Sequence, residues 1–272
     1  MNANKQLWEK GDFTKLADCM RQSGTELVER IGIAAGEAVL DLGCGDGTTA
    51  LPAAERGADV TGVDIAANLV AAGRRRAERA GLTNIAFEEG DATDLVGLAD
   101  ERFDRVVSIF GAMFAPRPEQ VAREMVRVTK PGGKIVMGNW IPGDPTLVAQ
   151  ILKTSAAYTP PPPEGFVSPM LWGNEETVRA RFTAVGIPDE AVTCERDVFT
   201  FRRDSPPADF LDLFLNYYGP TMNAVEAADR DQRGAALRDE LGRLFDNQNA
   251  SGDPAKTEIP AAFLRVTVRK PG

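Results

Sequence analysis

The stretch "VLDLGCGDGTTA", Val39 to Ala50, decides how this chain folds. An apolar run carries one acid, Asp41, and then breaks into three glycines, Gly43, Gly45 and Gly47, spaced by one residue. A short apolar segment that turns on glycines and reopens as a helix is the first strand–turn–helix of a parallel sheet. In such sheets ligands bind beyond the carboxyl ends of the strands, where the strand order reverses. Glycines at the bend allow positive φ and a close backbone approach. The helix expected over 48–56 points free N–H groups and a positive dipole end at the same place.

Working outward, apolar runs predict strands over 38–42, 59–63, 84–88, 103–110 and 134–140. Helical patterns over 48–56, 68–80 and 119–129 separate them, stopped by Gly57, Gly81 and "KPGG". Strand and helix alternate with short connections, which specifies a parallel sheet covered on both faces by right-handed crossovers. Before this run, Leu16, Met20, Leu27, Val28 and Ile31 recur at helical spacing, so 4–31 reads as helix. After Trp140 the regularity fails. "IPGDP" is a turn, and the four prolines of "YTPPPPEGF" enforce an extended connector. Helices are expected over 175–185, 208–218 and 232–245, and strands over 192–201 and 262–268. That makes seven strands. The organisation expected is an N-terminal helical cap over 1–35 and an α/β domain over 36–272, with lid elements near 142–172 and 205–250. The basic run Arg74–Arg76 with Arg79 reads as a solvated helix face.

The 272 residues suffice for a sizeable core. No run of about 18 apolar residues is present, so no membrane span is expected. The first residues lack the apolar core of a signal peptide, and Cys19, Cys44 and Cys194 lack metal-ligand spacing, which together point to reduced thiols in the cytoplasm. A net charge of −9 argues against nucleic acid as the main partner. Histidine is absent, which excludes imidazole bases, Ser-His-Asp triads and His-ligated metals.

Asp64 ends the second strand, where an acid accepts hydrogen bonds from the two hydroxyls of a ribose. Asp91, in "EEGDA", ends the third strand and can accept from an amino group on a base. A dinucleotide fingerprint reads G-x-G-x-x-G, and the spacing here is one residue tighter. Asp41 has the wrong sign for a pyrophosphate. It suits a ligand carrying an ammonium or sulfonium, and S-adenosylmethionine carries both with a ribose and an adenine.

At these residues the sequence resembles the class I S-adenosylmethionine-dependent methyltransferases, most nearly the small-molecule branch of the ubiquinone/menaquinone-biosynthesis type. "VLDLGCGDG", "GVDIA", "EEGDA", "FDRVVSIFGAMF" and "KPGGKIVMGNW" stand in order at the family's separations, over about residues 36–141. The resemblance implies a Rossmann-like sheet of order 3-2-1-4-5-7-6 with the last strand antiparallel. It implies that the loop of Gly43, Cys44, Gly45 and Gly47 holds the methionine part of S-adenosyl-L-methionine, with Asp41 reaching its amine. Asp64 is then the ribose ligand, Ile65 lies against adenine, and Asp91 accepts from the adenine amino group beside the Ala92 backbone. The backbone of Ser108, Ile109 and Phe110 lines the methionine end. "LWEKGDF" resembles an entrance segment, W-x-x-G-D-aromatic, that folds over the cofactor. On that reading Trp8, Asp12 and Phe13 help close the site; the alternative is a surface helix that Asp12 caps.

Methyl transfer from a sulfonium is an in-line displacement in which the enzyme chiefly aligns the nucleophile and excludes water. Without histidine, any base is a carboxylate or tyrosine, with Asp144, Tyr217 and Tyr218 as candidates by region. "FGAMFAPRPE", after the fourth strand, has no acid where metal-assisted enzymes place a ligand, so no metal is expected. The irregular parts supply aromatic surface for a small, apolar or aromatic acceptor. Its candidate residues are Phe114, Trp140, Trp172, Phe214, Tyr217 and Tyr218. Two rivals remain open: a cofactor-binding protein that transfers no methyl group, and a nicotinamide dehydrogenase, against which the glycine spacing and Asp41 speak.

Overall fold

A computed structural model describes residues 2–272. Its strands are β1 (Ala38–Leu42), β2 (Asp59–Asp64), β3 (Ile85–Glu89), β4 (Phe103–Ile109), β5 (Thr129–Trp140), β6 (Val192–Arg203) and β7 (Thr257–Arg269). Its helices are α1 (Ala3–Glu9), α2 (Phe13–Ala17), α3 (Arg21–Ile31), α4 (Ala50–Glu55), α5 (Ala67–Arg79), α6 (Pro118–Val128), α7 (Leu147–Ala156), α8 (Glu175–Thr183), α9 (Pro207–Tyr217), α10 (Gly219–Arg230) and α11 (Gly234–Gln248). The seven strands form one sheet of order β3-β2-β1-β4-β5-β7-β6. β1 runs parallel to β2 and β4, β5 is parallel to β4, and β7 is antiparallel to β5. This is the Rossmann-like sheet expected, and strand order reverses between β1 and β4.

The chain divides into two compact units. One comprises Gly24–Ile141, Val167–Asp197 and Phe263–Gly272 and holds β1 to β5. Its central strands are buried on both faces, which is why β1 and β4 read as near-continuous apolar runs. On one face Val39, Val60, Val107 and Val136 pack with Val28, Ile33, Ala50 and Leu51. At the amino end of the sheet the buried Arg105 pairs with Glu37 through two bonds of 2.9 Å and donates to the carbonyls of Ile31 and Gly32. It thereby satisfies carbonyls left open at the end of α3. The other unit comprises the residues up to Ser23, Pro142–Phe166 and Val198–Ala262. Its core is aromatic: the rings of Phe210, Phe214 and Phe245 meet edge-on with centroids 5.2–5.4 Å apart.

Several elements differ from the sequence reading. The helix expected over 4–31 is three helices. A Cβ on Gly11 would collide with the Tyr217 carbonyl, and Asp12 accepts from the Thr14 N–H (3.2 Å) and hydroxyl, restarting the chain as α2. α7 and α10 lie in the stretches near 142–172 and 205–250 where helical lid insertions are expected without bounds; α10 opens on Gly219 and Pro220, proline near the first helical position being suited to a helix start. β5 begins at Thr129, ahead of the expected 134, because the "KPGG" segment pairs with the chain end: the Lys270 N–H donates to Gly133 O at 3.0 Å, and the Gly132 N–H to Lys270 O at 3.0 Å. The basic face of α5 is only partly solvated. Arg74 donates twice to the Phe87 carbonyl, and Arg76 donates to the Asp46 carbonyl at 2.6 Å. Among the described residues no helix is long and apolar enough to cross a membrane.

Candidate active site

At the carboxyl end of β1, Asp41 lies between Gly62 of β2 and Val107 of β4. It is 1% exposed, and its Oδ2 has no hydrogen-bond partner among the described residues. Burial, and next the charge of Asp64, push its carboxyl up to about 8, while the backbone N–H of Ala50 pulls the other way. This revises the expected helix start. α4 opens at Ala50, two residues late, and its first N–H serves Asp41. A buried carboxylate with an unpartnered oxygen is built to receive a cation or a strong donor.

The three loop glycines have φ of +72°, +55° and +90°, the left-handed region that favours glycine. Gly43 and Cys44 donate to the Val63 carbonyl at 2.7 and 3.1 Å, tying the loop to β2. A Cβ on Gly43 would lie 2.6 Å from the Gly111 Cα, so the turns after β1 and β4 meet backbone to backbone. A Cβ on Gly45 would meet no protein atom within 4 Å, so this glycine presents open backbone. Cys44 points the other way: it is buried in the core cluster, and burial keeps its thiol neutral. Its thiol donates to the Gly45 carbonyl of the bend at 3.5 Å. Asp46, also in the loop, is 2% exposed and 3.6 Å from the Arg76 guanidinium, so α5 grips the loop from outside.

Asp64 ends β2, almost buried. Its Oδ2 accepts from Gly45 N–H at 2.8 Å and its Oδ1 from Ala66 N–H at 2.9 Å. Burial raises its pKa, and the N–H donors of Ala66, Gly45 and Ile65 counter the rise. Each oxygen thus has at least one backbone donor, and three donors leave part of the four lone-pair sites of the carboxylate open. Ile65 follows, half-buried. Asp91 stands two residues past β3, with Ala92 half-buried beside it; its Oδ1 accepts from the Thr93 N–H (2.9 Å) and hydroxyl (2.8 Å).

At the end of β4, the buried Ser108 hydroxyl donates to the Leu42 carbonyl at 2.6 Å and accepts from Ala112 N–H at 2.9 Å. Its side chain thus locks β1 to β4. Ile109 is half-buried. Phe110 has φ +59°, a strained conformation for a bulky residue. Its ring stacks on Trp140 with centroids 3.7 Å apart and meets Phe263 edge-on at 5.2 Å, contacts that hold it there.

The aromatic candidates separate into two groups. Phe114, Trp140 and Trp172 belong to the sheet-bearing unit. Phe114 is half-buried in the turn Ala112–Phe114, whereas Trp140 and Trp172 are core residues. Trp8, Phe13, Phe214, Tyr217 and Tyr218 belong to the other unit. There Trp8 and Phe13 meet edge-on at 5.9 Å, and both reach Tyr218, at 6.0 and 6.2 Å. Phe214 lies 5.4 Å from Tyr218 on its other side, and Tyr217 is half-buried. Asp12 is a cap, as the alternative reading expects, and Trp8 and Phe13 pack on Tyr218. Two base candidates fall away. Burial holds the Tyr218 hydroxyl well above the usual phenol range, and Asp144 is a turn residue accepting from the Thr146 N–H and hydroxyl. Among the described residues no group of three or more Cys, Asp or Glu side chains is arranged to hold a metal ion.

Comparison with known proteins bears on this geometry. Residues 40–137 match the methyltransferase-domain family. An uncharacterized protein of Mycobacterium tuberculosis is 35% identical over 243 residues, which cover 89% of this chain and 86% of that one. A demethylmenaquinone methyltransferase of Renibacterium salmoninarum is 39% identical over 114 residues, 42% of this chain and 46% of its own. Phosphoethanolamine N-methyltransferase 2 of Haemonchus contortus, solved with phosphomonomethylethanolamine and S-adenosylhomocysteine, is similar in fold alone. Its TM-score is 0.64 at 16% identity, over 100% of this chain and 61% of that one. The chain belongs to one family with the mycobacterial protein, and its residues 40–137 are a methyltransferase domain.

Proposed function

We propose that this protein transfers a methyl group from S-adenosylmethionine to a small, apolar or aromatic acceptor by in-line displacement without a metal. The observation that carries the reading is Asp41, a buried carboxylate with one unpartnered oxygen beneath a positive-φ glycine loop. The residues present fit the cofactor. Asp41 takes its ammonium, and the open backbone at Gly45 admits its methionine chain. Asp64 accepts from the ribose hydroxyls with the lone pairs its backbone donors leave. Ile65 and Ala92 flank the adenine, and Asp91 accepts from its amino group. The Ser108–Phe110 backbone borders the methionine end. Trp8 and Phe13 pack on Tyr218 within the other unit.

When bound, the cofactor supplies an already activated methyl on a sulfonium. The protein's own residues do the rest. Asp41 and Asp64 fix the donor at both ends, and the Phe110–Trp140 stack sets the β4 terminus. Such positioning contributes about 7–11 kcal/mol in favourable cases. With Tyr218 protonated and Asp144 accepting from the Thr146 N–H and hydroxyl, Tyr217 is the remaining candidate base for an acceptor that needs one. The menaquinone-type branch rests on the Renibacterium relative, which matches under half of this chain.

Calorimetry with S-adenosylmethionine, S-adenosylhomocysteine and NAD tests the reading. Saturable binding of the first two is expected, and saturable binding of NAD alone overturns it. Tight S-adenosylmethionine binding with no methylated product across a panel of small aromatic acceptors rejects the transfer step and leaves a cofactor-binding protein.

A further inference from the structure

The sheet-bearing unit also buries a cation with an atom that has no hydrogen-bond partner among the described residues. Arg181, on α8, is 6% exposed, and its Nη1 has no hydrogen-bond partner among the described residues. Its guanidinium lies over the ring of Trp172, 4.5 Å from the centroid. Trp172 is 1% exposed, and its Nε1–H is also unpartnered. Glu119, on α6, acts on Arg181 only through its charge.

Trp172 sits in the single turn Pro169–Gly173, which lies against the end of β5: a Cβ on Gly173 would collide with the Trp140 carbonyl. On β5, Val136 faces the core cluster, so alternation turns Asn139 to the opposite face of the sheet. Asn139 is fully buried, and neither its Oδ1 nor its Nδ2 has a hydrogen-bond partner among the described residues. Three unpartnered polar side chains therefore stand on β5, the turn packed on it and the helix that follows.

A buried water can serve an amide or an indole N–H. It does not repay the burial of a full charge, which costs several kcal/mol unless paired. A guanidinium stacked on an indole leaves its edge for a planar, bidentate anion, and carboxylate fits that fork. The indole N–H and the Asn139 amide supply further donors. We infer that Arg181, Trp172 and Asn139 form an anion subsite that receives a carboxylate carried by the methyl acceptor. The substrate class is then an aromatic or apolar acid. This inference rests on the methyl-transfer reading.

The test uses the full chain with 15N-labelled indoles, the Trp172 Nε1–H resonance being assigned by its loss in Trp172→Phe. Benzoate is titrated into protein with and without S-adenosylhomocysteine, and benzamide, its neutral isostere, serves as control. A saturable shift of that resonance with benzoate and none with benzamide is expected. Arg181→Met should weaken benzoate binding at least tenfold, leave S-adenosylhomocysteine affinity within about twofold, and keep or raise Tm because an unpaired buried charge is gone. If the Met variant does not fold, Arg181→Lys makes the same comparison, keeping the charge without the fork. No benzoate response, or an equal response in the variant, overturns the subsite. Benzoate silence with S-adenosylhomocysteine binding intact rejects this inference alone. Benzoate response with no S-adenosylhomocysteine binding rejects the cofactor reading instead.

Discussion

Asp41 connects sequence, electrostatics and function at a single residue. Its carboxyl titrates near 8 in the folded chain against 3.8 as the unperturbed value. The folded state therefore holds a proton that the unfolded chain releases, and this group lowers stability as pH rises from about 4 through 8. An ammonium needs the ionised form, so binding S-adenosylhomocysteine at pH 6.5 should release close to one proton. Release should fade by pH 8, where the α-amino group of the ligand titrates in turn. Calorimetry in buffers of different ionisation heat measures it, and an identical heat in all of them at pH 6.5 removes Asp41 from the site. Asp41→Asn should weaken binding by about ten- to a hundredfold, the worth of a charged hydrogen bond. The same variant should be more stable than the parent at pH 8.5, since its buried charge is gone. Sequence showed that an acid stood before the glycines. That its Oδ2 lacks a partner depends on Ala50 and Asp64, brought near only by folding.

Among elements, the glycine loop makes two distinguishable demands. Gly43 needs both its left-handed φ and contact with Gly111, so Gly43→Ala forces the β1 and β4 turns apart. It should cost on the order of 2–4 kcal/mol of stability. Gly45 has the unusual φ but open space, so Gly45→Ala should cost about 1–2 kcal/mol while its methyl occupies the cofactor's path. Denaturant unfolding beside S-adenosylhomocysteine titration separates the two, and parental affinity in folded Gly45→Ala refutes the placement. The spacing of the glycines was legible, but their division of labour was not, because Gly111 is distant in sequence. The same holds for Arg76, which read as solvated and instead grips Asp46. Helix α10 falls in the helical lid insertion expected near 205–250, but its start was not legible, because Gly-Pro is a breaker in a strand and a start in a helix.

For the whole molecule, a ligand that binds only the folded state stabilises it by about 2.7 kcal/mol at one hundred times its Kd. For a chain of this size that corresponds to a rise in Tm of about 5 °C or more with S-adenosylhomocysteine. An unchanged Tm at that concentration excludes the ligand from the native fold. The sequence by itself determined the sheet, its strand order through the family resemblance, and the acids at the strand ends. Apolar runs, glycine turns and helical periods are local and survive in one dimension. Tertiary structure alone decided that Cys44 is buried in the core, that Trp8 and Phe13 pack on Tyr218, and that the Arg181 guanidinium is buried over the Trp172 ring. Burial and pairing depend on residues far apart in the chain, and only folding brings these together.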